Sequence, residues 1–386
     1  MPTFTMSPSD LADPRTWPDA AAADAASVQV HAAVAAALCA QTRLDADQHD
    51  ADARQLLLHM LKAPHALADA LASAPSVAVA RHLWRLLAEI ERGDEAAPAL
   101  RTTIFAIPVI LVTGLDAGTA PVVLSGVLPR CRELEQLLRA ANAFDGVEMF
   151  ALAGTLCGAE AIGVAALPRL LVHRHIEAHA GQRLPRLDFA PSPIEVQGRT
   201  ERVHLRFIAG AALTPAGADP LRDTRIAAWG MSFANAIARA LAAPGTTLLA
   251  LPRAPQRLVP ALQSGRAAQR EVSAQLFASN AIRKLRASVG EPTAVISAHR
   301  AIDAPAGGEL RLSLSSPFAP RDAEGFRCPL HPYEPVRDVA AMLVALLGDC
   351  QVADIRVRSG VHADRDPATG GPLLFKDADA RTGASC

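Results

Sequence analysis

The chain has 386 residues, of which half are hydrophobic and a fifth are charged. This length exceeds what one hydrophobic core usually organises, so we expect at least two domains, and the composition excludes a disordered chain. The net charge of -1 and the pI near 6.9 provide no strong field for nucleic acid or an anionic membrane, and we predict neither as a partner.

Residues 1–95 are predicted to form a helical N-terminal region. A lead-in rich in Pro and Asp over 1–20 precedes apolar stripes at helical spacing. They predict a helix over 21–44, a second helix or a continuation of the first over 45–62, and a short helix over 65–73. Ser76 has the residue type of an N-cap for a further helix over 77–92, and Gly93 has that of its stop signal. The first 19 residues lack a basic segment followed by an apolar one, so we predict no secretory signal and a cytoplasmic location.

Residues 96–215 are predicted to form a first α/β unit. Its strand over 101–113 is a continuous apolar run, which is typical of a strand covered on both faces. Pro108 interrupts this run and therefore predicts an edge, a bulge or a strand end. The remaining predicted elements of this unit are strands over 122–127, 147–153 and 202–213 and helices over 131–143 and 170–180.

Residues 216–386 are predicted to form a second α/β unit. Its strand over 309–315 alternates Leu310, Leu312 and Leu314 with polar residues, which predicts a half-exposed strand. The other predicted elements are helices over 223–242 and 336–347, one helix or two over 258–287, strands over 246–251, 293–298 and 352–359, and a returning strand over 372–375.

The division into two α/β units is based on a similarity between two segments of the chain. Residues 102–108 read TTIFAIP and residues 246–252 read TTLLALP, an offset of 144 positions that also carries Gly146 onto Gly290. We interpret this pattern as two degenerate copies of one α/β unit, in a protein of the α/β or α+β class. Duplicated domains often place a ligand-binding cleft between the copies.

Two pairs of residues are candidate metal ligands. His175 and His179 are four positions apart, so on a helix they would share a face, although the glutamate of a metalloprotease helix is not at its usual place. Cys328 and His331 form a CxxH pair that could provide half of a zinc site, but no second half follows it. A polar helix end and a rigid Pro-rich loop explain the same residues without a metal.

Several further patterns are weaker. The segment GMSFA over 230–234 differs by one residue from the GxSxG motif of the serine-hydrolase elbow, but its flanking residues predict one continuous helix. The glycine-rich turn over 154–163 could cradle a phosphate or serve helix packing. Basic side chains over 199–206 could face an acidic ligand, and aspartates over 364–379 could hold a cation. The apolar window over 149–168 contains Glu160 and is better explained by a buried strand and helix than by a membrane span.

The six cysteines are scattered with no CxxC spacing, as expected for reduced thiols. Because none of these patterns provides a complete set of catalytic residues, we predict a non-enzymatic interaction or scaffold protein that associates with itself or with another protein. The cofactors are unknown. The alternative is an enzyme or small-ligand-binding protein, with or without a metal, whose site lies in the cleft between the copies.

Overall fold

The computed structural model describes the chain over residues 3–4, 25–93, 100–144, 147, 149–163, 167, 184, 187–197, 200–215, 219–221, 226–288, 290–300, 308–316 and 319–362. The chain divides into two compact units. One contains Met1–Ala53, Asp69–Trp84 and Ser273–Cys386, and the other contains Arg54–Ala68 and Arg85–Val272. The predicted divisions 1–95, 96–215 and 216–386 stay predictions.

Helices and mainly antiparallel sheets together confirm the mixed α and β class. The described helices are α1 (Ala25–Cys39), α2 (Arg43–Met60), α3 (Pro64–Ala72), α4 (Val77–Arg92), α5 (Cys131–Ala140), α6 (Ala159–Ile162), α7 (Ile226–Leu241), α8 (Leu258–Ser288) and α9 (Val336–Asp349). The described strands are β1 (Thr3–Phe4), β2 (Leu100–Leu115), β3 (Val122–Leu124), β4 (Met149–Leu152), β5 (Ile194–Val196), β6 (Arg202–Pro215), β7 (Thr246–Pro252), β8 (Thr293–Arg300), β9 (Gly308–Ser316), β10 (Ala319–Pro329) and β11 (Asp354–His362). In this part of the chain, no helix combines the length and the apolar character needed to cross a membrane.

Helices α1 to α4 lie within the predicted N-terminal region 1–95. Ser76 caps α4, because its hydroxyl oxygen accepts the backbone N–H of Val79 at 3.2 Å. Gly93 ends the same helix with a φ of 76°, a left-handed conformation that glycine adopts without a steric penalty. In α1, the ring Nε2 of His31 lies 2.8 Å from the carbonyl oxygen of Ala70 on α3.

A four-stranded antiparallel sheet in the order β4-β6-β2-β7 is the centre of the compact unit that contains Arg85–Val272. Its strand β2 is buried on both faces, as the continuous apolar run predicts: Phe105 and Ile107 face one side, and Ile104 and Ala106 the other. The first side packs against α5 and α7. On the opposite face, α8 approaches at Gly265, where a Cβ atom would lie 3.0 Å from the side chains of Leu205 and Phe207 of β6.

The two TT segments are both strands, and they belong to this same sheet. Residues 102–108 lie in β2 and residues 246–252 form β7, which pairs with β2 from Leu115 and Thr246 to Val109 and Pro252. Pro108 lies inside β2, opposite the point where β7 ends, and its carbonyl oxygen accepts the N–H of Arg253 at 2.8 Å. Its missing N–H therefore falls where the ladder is already interrupted. The internal duplication and its offset stay a prediction.

A five-stranded sheet in the order β1-β11-β8-β9-β10 lies in the compact unit that contains Ser273–Cys386. Its pairs β1–β11 and β11–β8 are parallel, and the others are antiparallel. One face is apolar, with Leu310, Leu312 and Leu314 of β9 in a core that also contains side chains of α8 and α9. The prediction that β9 is half exposed is wrong, because all nine of its residues are buried.

Candidate functional site

An apolar groove lies between α7 and the outer strand β7. Its volume is about 330 Å³. Two of the residues that line it have largely exposed side chains, Met231 of α7 by 76% and Leu249 of β7 by 55%. The other lining residues are Gly230, Ala234, Asn235, Ala238, Leu248, Ala250, Leu251, Pro252 and Arg253. The groove therefore presents apolar surface to solvent beside one edge of the sheet.

The backbone alternation of β7 shows which groups point toward this edge. Because Arg253 donates its N–H to Pro108 of β2, the odd-numbered residues of β7 direct their backbone groups toward β2. Leu248 and Ala250 consequently direct theirs away from the sheet. Among the described residues, none forms a hydrogen bond to these outward groups. Leu248 is partly exposed, whereas Ala250 is buried at the base of the groove.

The opposite edge of the sheet, at β4, is closed by side chains of α5. Glu135 accepts the N–H of Leu152 at 2.9 Å, and Arg139 donates to the carbonyl oxygen of Phe150 at 3.0 Å. Arg139 also lies over the Phe150 ring, 4.8 Å from its centroid. Charged side chains thus occupy the backbone groups that a further strand would need at β4.

The second face of the five-stranded sheet carries a buried polar cluster, which the sequence interpretation placed in solvent. Glu309 accepts hydrogen bonds from Arg311 at 2.6 Å and from Arg327 at 3.0 Å. On the neighbouring strand, the Ser297 hydroxyl lies 2.8 Å from His299 Nε2. A carboxylate bridging two guanidinium groups is the kind of paired burial that charged residues require.

The Ser297–His299 contact has the separation that a nucleophile and its general base need. However, Ser297 is 1% exposed and His299 is fully buried. A reacting serine must reach its substrate, so in this structure the pair serves the packing of the polar face. Ser313, on the same face, has a buried hydroxyl without a hydrogen-bond partner among the described residues.

The predicted metal ligands fall in different parts of the structure. His175 and His179 lie outside the described residues. Cys328 is fully buried in the apolar core beside α8 and α9, and His331 stacks on Tyr333 with ring centroids 5.7 Å apart. Within the described ranges, no three His, Cys, Asp or Glu side chains are grouped so that they could hold a metal ion. Both predicted metal pairs stay predictions.

The glycine-rich turn and the elbow pattern have structural explanations. The Glu160 carboxylate lies directly over Gly158, where a phosphate would have to approach the backbone. An anion there would meet a carboxylate, which opposes the phosphate interpretation. Ser232 lies in the middle of α7, as predicted, so it has no strained turn to expose it.

The basic row on β6 is also partly explained by internal contacts. Arg202 is exposed, whereas Arg206 donates to the carbonyl oxygens of Pro193 at 2.7 Å and Ser192 at 3.3 Å. His204 lies 3.0 Å from the Thr113 hydroxyl, and burial, together with the charges of Arg206 and Arg202, lowers the pKa of its imidazole. Residue 199 lies outside the described ranges, as do the aspartates at 364–379.

Comparison of the chain with protein-family models, with curated proteins and with solved structures gave no match in any of the three. The candidate site therefore rests on geometry alone. Of its parts, the sequence interpretation found the strand β7 and the helix α7, but it missed the groove. The exposed Met231 and Leu249 lie among other apolar residues of α7 and β7, and no local pattern distinguishes them from the buried ones.

Proposed function

We propose that this chain is a non-enzymatic interaction protein that associates with itself through the groove between α7 and β7. The observation that supports the proposal is the exposed apolar surface of Met231 and Leu249 beside a strand edge that has no hydrogen-bond partners among the described residues. Exposed apolar surface beside a strand edge favours an interaction site, because its exposure to water is unfavourable. The predicted cytoplasmic location is part of this proposal.

Sedimentation velocity and light scattering over a wide concentration range test the self-association. We expect a mass that rises with concentration to a multiple of the 40.5 kDa chain. Leu249→Lys and Met231→Glu should shift the equilibrium toward the monomer, because each places a charge in the apolar contact. Leu44→Lys is the matched control, since Leu44 on α2 is 79% exposed and does not line the groove. A monomer at every concentration contradicts the proposal.

The alternative function, an enzyme or ligand-binding protein with a metal-dependent site, has a separate test. Metal analysis of the purified protein should find zinc in a one-to-one ratio if His175 and His179 are ligands. The double substitution His175→Ala/His179→Ala should then remove it, whereas Cys328→Ala/His331→Ala tests the second pair. Protein without bound metal after purification in zinc-containing buffer contradicts the metal-dependent alternative.

The internal duplication is a further proposal about the origin of this sheet. The pairing of β2 with β7 supports it: Val109 lies opposite Pro252, and Arg253 donates to Pro108. Pro108 thus lies beside Arg253, which follows Pro252, and Pro252 lies beside Val109, which follows Pro108. A two-fold axis between two copies would produce this reciprocal arrangement. Distant relatives test the idea, because an ancient repeat should show greater similarity between its two segments in at least some of them.

A further inference from the structure

We infer that the partner strand at β7 is β7 of a second copy of this chain, paired antiparallel across a two-fold axis near Leu248. This inference rests on the proposed self-association and specifies its interface. An isologous dimer requires one surface that is complementary to itself. An antiparallel strand pair meets that requirement, because the two strands present the same edge to each other.

The composition of β7 permits such pairing. Its residues TTLLALP contain no charged side chain, and edge strands that avoid pairing usually contain one, especially lysine. Pro252 also directs its backbone groups toward the outer edge, where its ring nitrogen cannot donate a hydrogen bond. However, it is the last residue of β7 and belongs to the last pair with β2, Val109–Pro252, so it affects only the end of the edge. The outward backbone groups of Leu248 therefore lie at the centre of the available edge.

The charges at the two ends of β7 favour a second copy over an unrelated strand. Arg253 follows the C-terminal end of β7, and Asp116 lies at the N-terminal end, where its N–H donates to the Gly245 carbonyl oxygen at 2.9 Å. An antiparallel arrangement brings Arg253 of each copy to the end that carries Asp116 of the other. The interface would then contain two symmetric pairs of opposite charge.

Both side chains are available for this contact. Asp116 is exposed. Arg253 is 43% exposed and approaches Glu271 only to 3.6 Å, while Glu271 is 57% exposed. Such an exposed ion pair is weak, so little is lost when Arg253 turns to another carboxylate.

A charge-swap experiment tests the interface in the full chain. Sedimentation velocity measures the dimer dissociation constant of Asp116→Arg, of Arg253→Asp and of the two combined. Each single change should raise the constant at least about tenfold, since it places two like-charge contacts in the symmetric interface. The combined change restores opposite charges and should return the constant to within a few-fold of the original.

A matched control swaps the exposed pair Arg43 and Asp47 on α2, which are 95% and 70% exposed, and should leave the constant unchanged. Circular dichroism verifies that all variants are folded. In addition, hydrogen exchange in a peptide that covers 246–252 should slow when the wild-type chain dimerises.

The outcomes separate the inference from the broader proposal. A wild-type monomer at all concentrations overturns both. A wild-type dimer that tolerates the single reversals, or that the combined change fails to restore, overturns the β7 pairing and leaves self-association standing. Unchanged hydrogen exchange at 246–252 in a dimer likewise places the contact elsewhere.

Discussion

Glu91, near the end of α4, caps the start of α8 through Val259, whose backbone N–H donates to the Glu91 carboxylate at 3.0 Å. The N–H of Leu258 donates to the other carboxylate oxygen. Glu91 is 5% exposed. A buried carboxylate at a helix N-terminus satisfies backbone donors that the helix itself leaves free and interacts favourably with the helix dipole.

Glu91→Ala should therefore lower the free energy of unfolding by about 2–3 kcal/mol, because two N–H groups lose a charged acceptor in a buried position. Urea denaturation monitored by circular dichroism measures the loss. Glu89→Ala on the same helix is the control: Glu89 pairs with Arg54 at 2.6 Å but is half-exposed, and its loss should cost at most about 1 kcal/mol. Equal losses for both variants would show that the cap has no special role.

Gly210 of β6 should not tolerate a larger residue. It pairs with Phe105 of β2, and a Cβ atom added to it would lie 2.8 Å from Cε2 of that ring and 2.9 Å from the carbonyl oxygen of Ala151. Gly210→Ala should cost about 1–3 kcal/mol through overpacking. Thermal unfolding measures this cost, and Gly154→Ala, where the added atom meets nothing within 4 Å, is the control.

A double-mutant cycle identifies the cause. Phe105→Leu is itself destabilising, but it should reduce the penalty of Gly210→Ala, because the ring that opposes the added methyl group is gone. Strictly additive effects would place the penalty in the backbone instead.

The stability of the chain should depend on His204 in mild acid. Burial and the neighbouring Arg206 and Arg202 lower the pKa of this imidazole in the folded state, so below its ordinary value of 6.5 the unfolded chain binds the proton first. Stability should therefore fall as the pH decreases from about 6.5 toward the folded pKa. In His204→Asn this part of the acid dependence should disappear, as urea midpoints measured between neutral pH and about pH 5 would show. A parallel fall in both proteins contradicts the prediction.

Cys157 should resist alkylation in the folded protein. Burial raises the pKa of its thiol to about 12, and the thiol donates to the Phe207 carbonyl oxygen at 3.4 Å. Since the thiolate is the reactive species, iodoacetamide at pH 8 should label the exposed Cys39 first and Cys157 only after unfolding. Mass spectrometry of the labelled peptides distinguishes the sites, and rapid labelling of Cys157 would require local opening of β6.

Local signals explain which elements are predictable. The apolar run of β2 requires cover on both faces, and Ser76 and Gly93 act within one turn of the helix that they bound. By contrast, the alternation in β9 only separates two faces. It does not reveal that the polar face is buried, because Glu309 also needs Arg327 of β10 as a partner, in addition to Arg311 on β9 itself. Sequence periodicity reports the direction of side chains, whereas burial depends on distant segments.

The candidate site shows the same limit. Glu135 and Arg139 are four positions apart and resemble an ordinary pair on a helix surface. Their contact with β4 depends on how α5 packs against the sheet, which no local pattern encodes. Similarly, the TTLLALP segment predicts the strand β7 but cannot show that this strand is outermost.

The unequal edges of the four-stranded sheet have a consequence for how far any assembly can grow. A molecule whose sheet can accept a neighbour at both ends would extend into an open-ended fibre, whereas here Glu135 and Arg139 block one end. Joining two molecules at β7 would occupy the outer edge of this strand, and the β4 edge would stay blocked in both molecules. Growth would stop there, and the protein could remain strongly apolar without forming fibrils through this sheet.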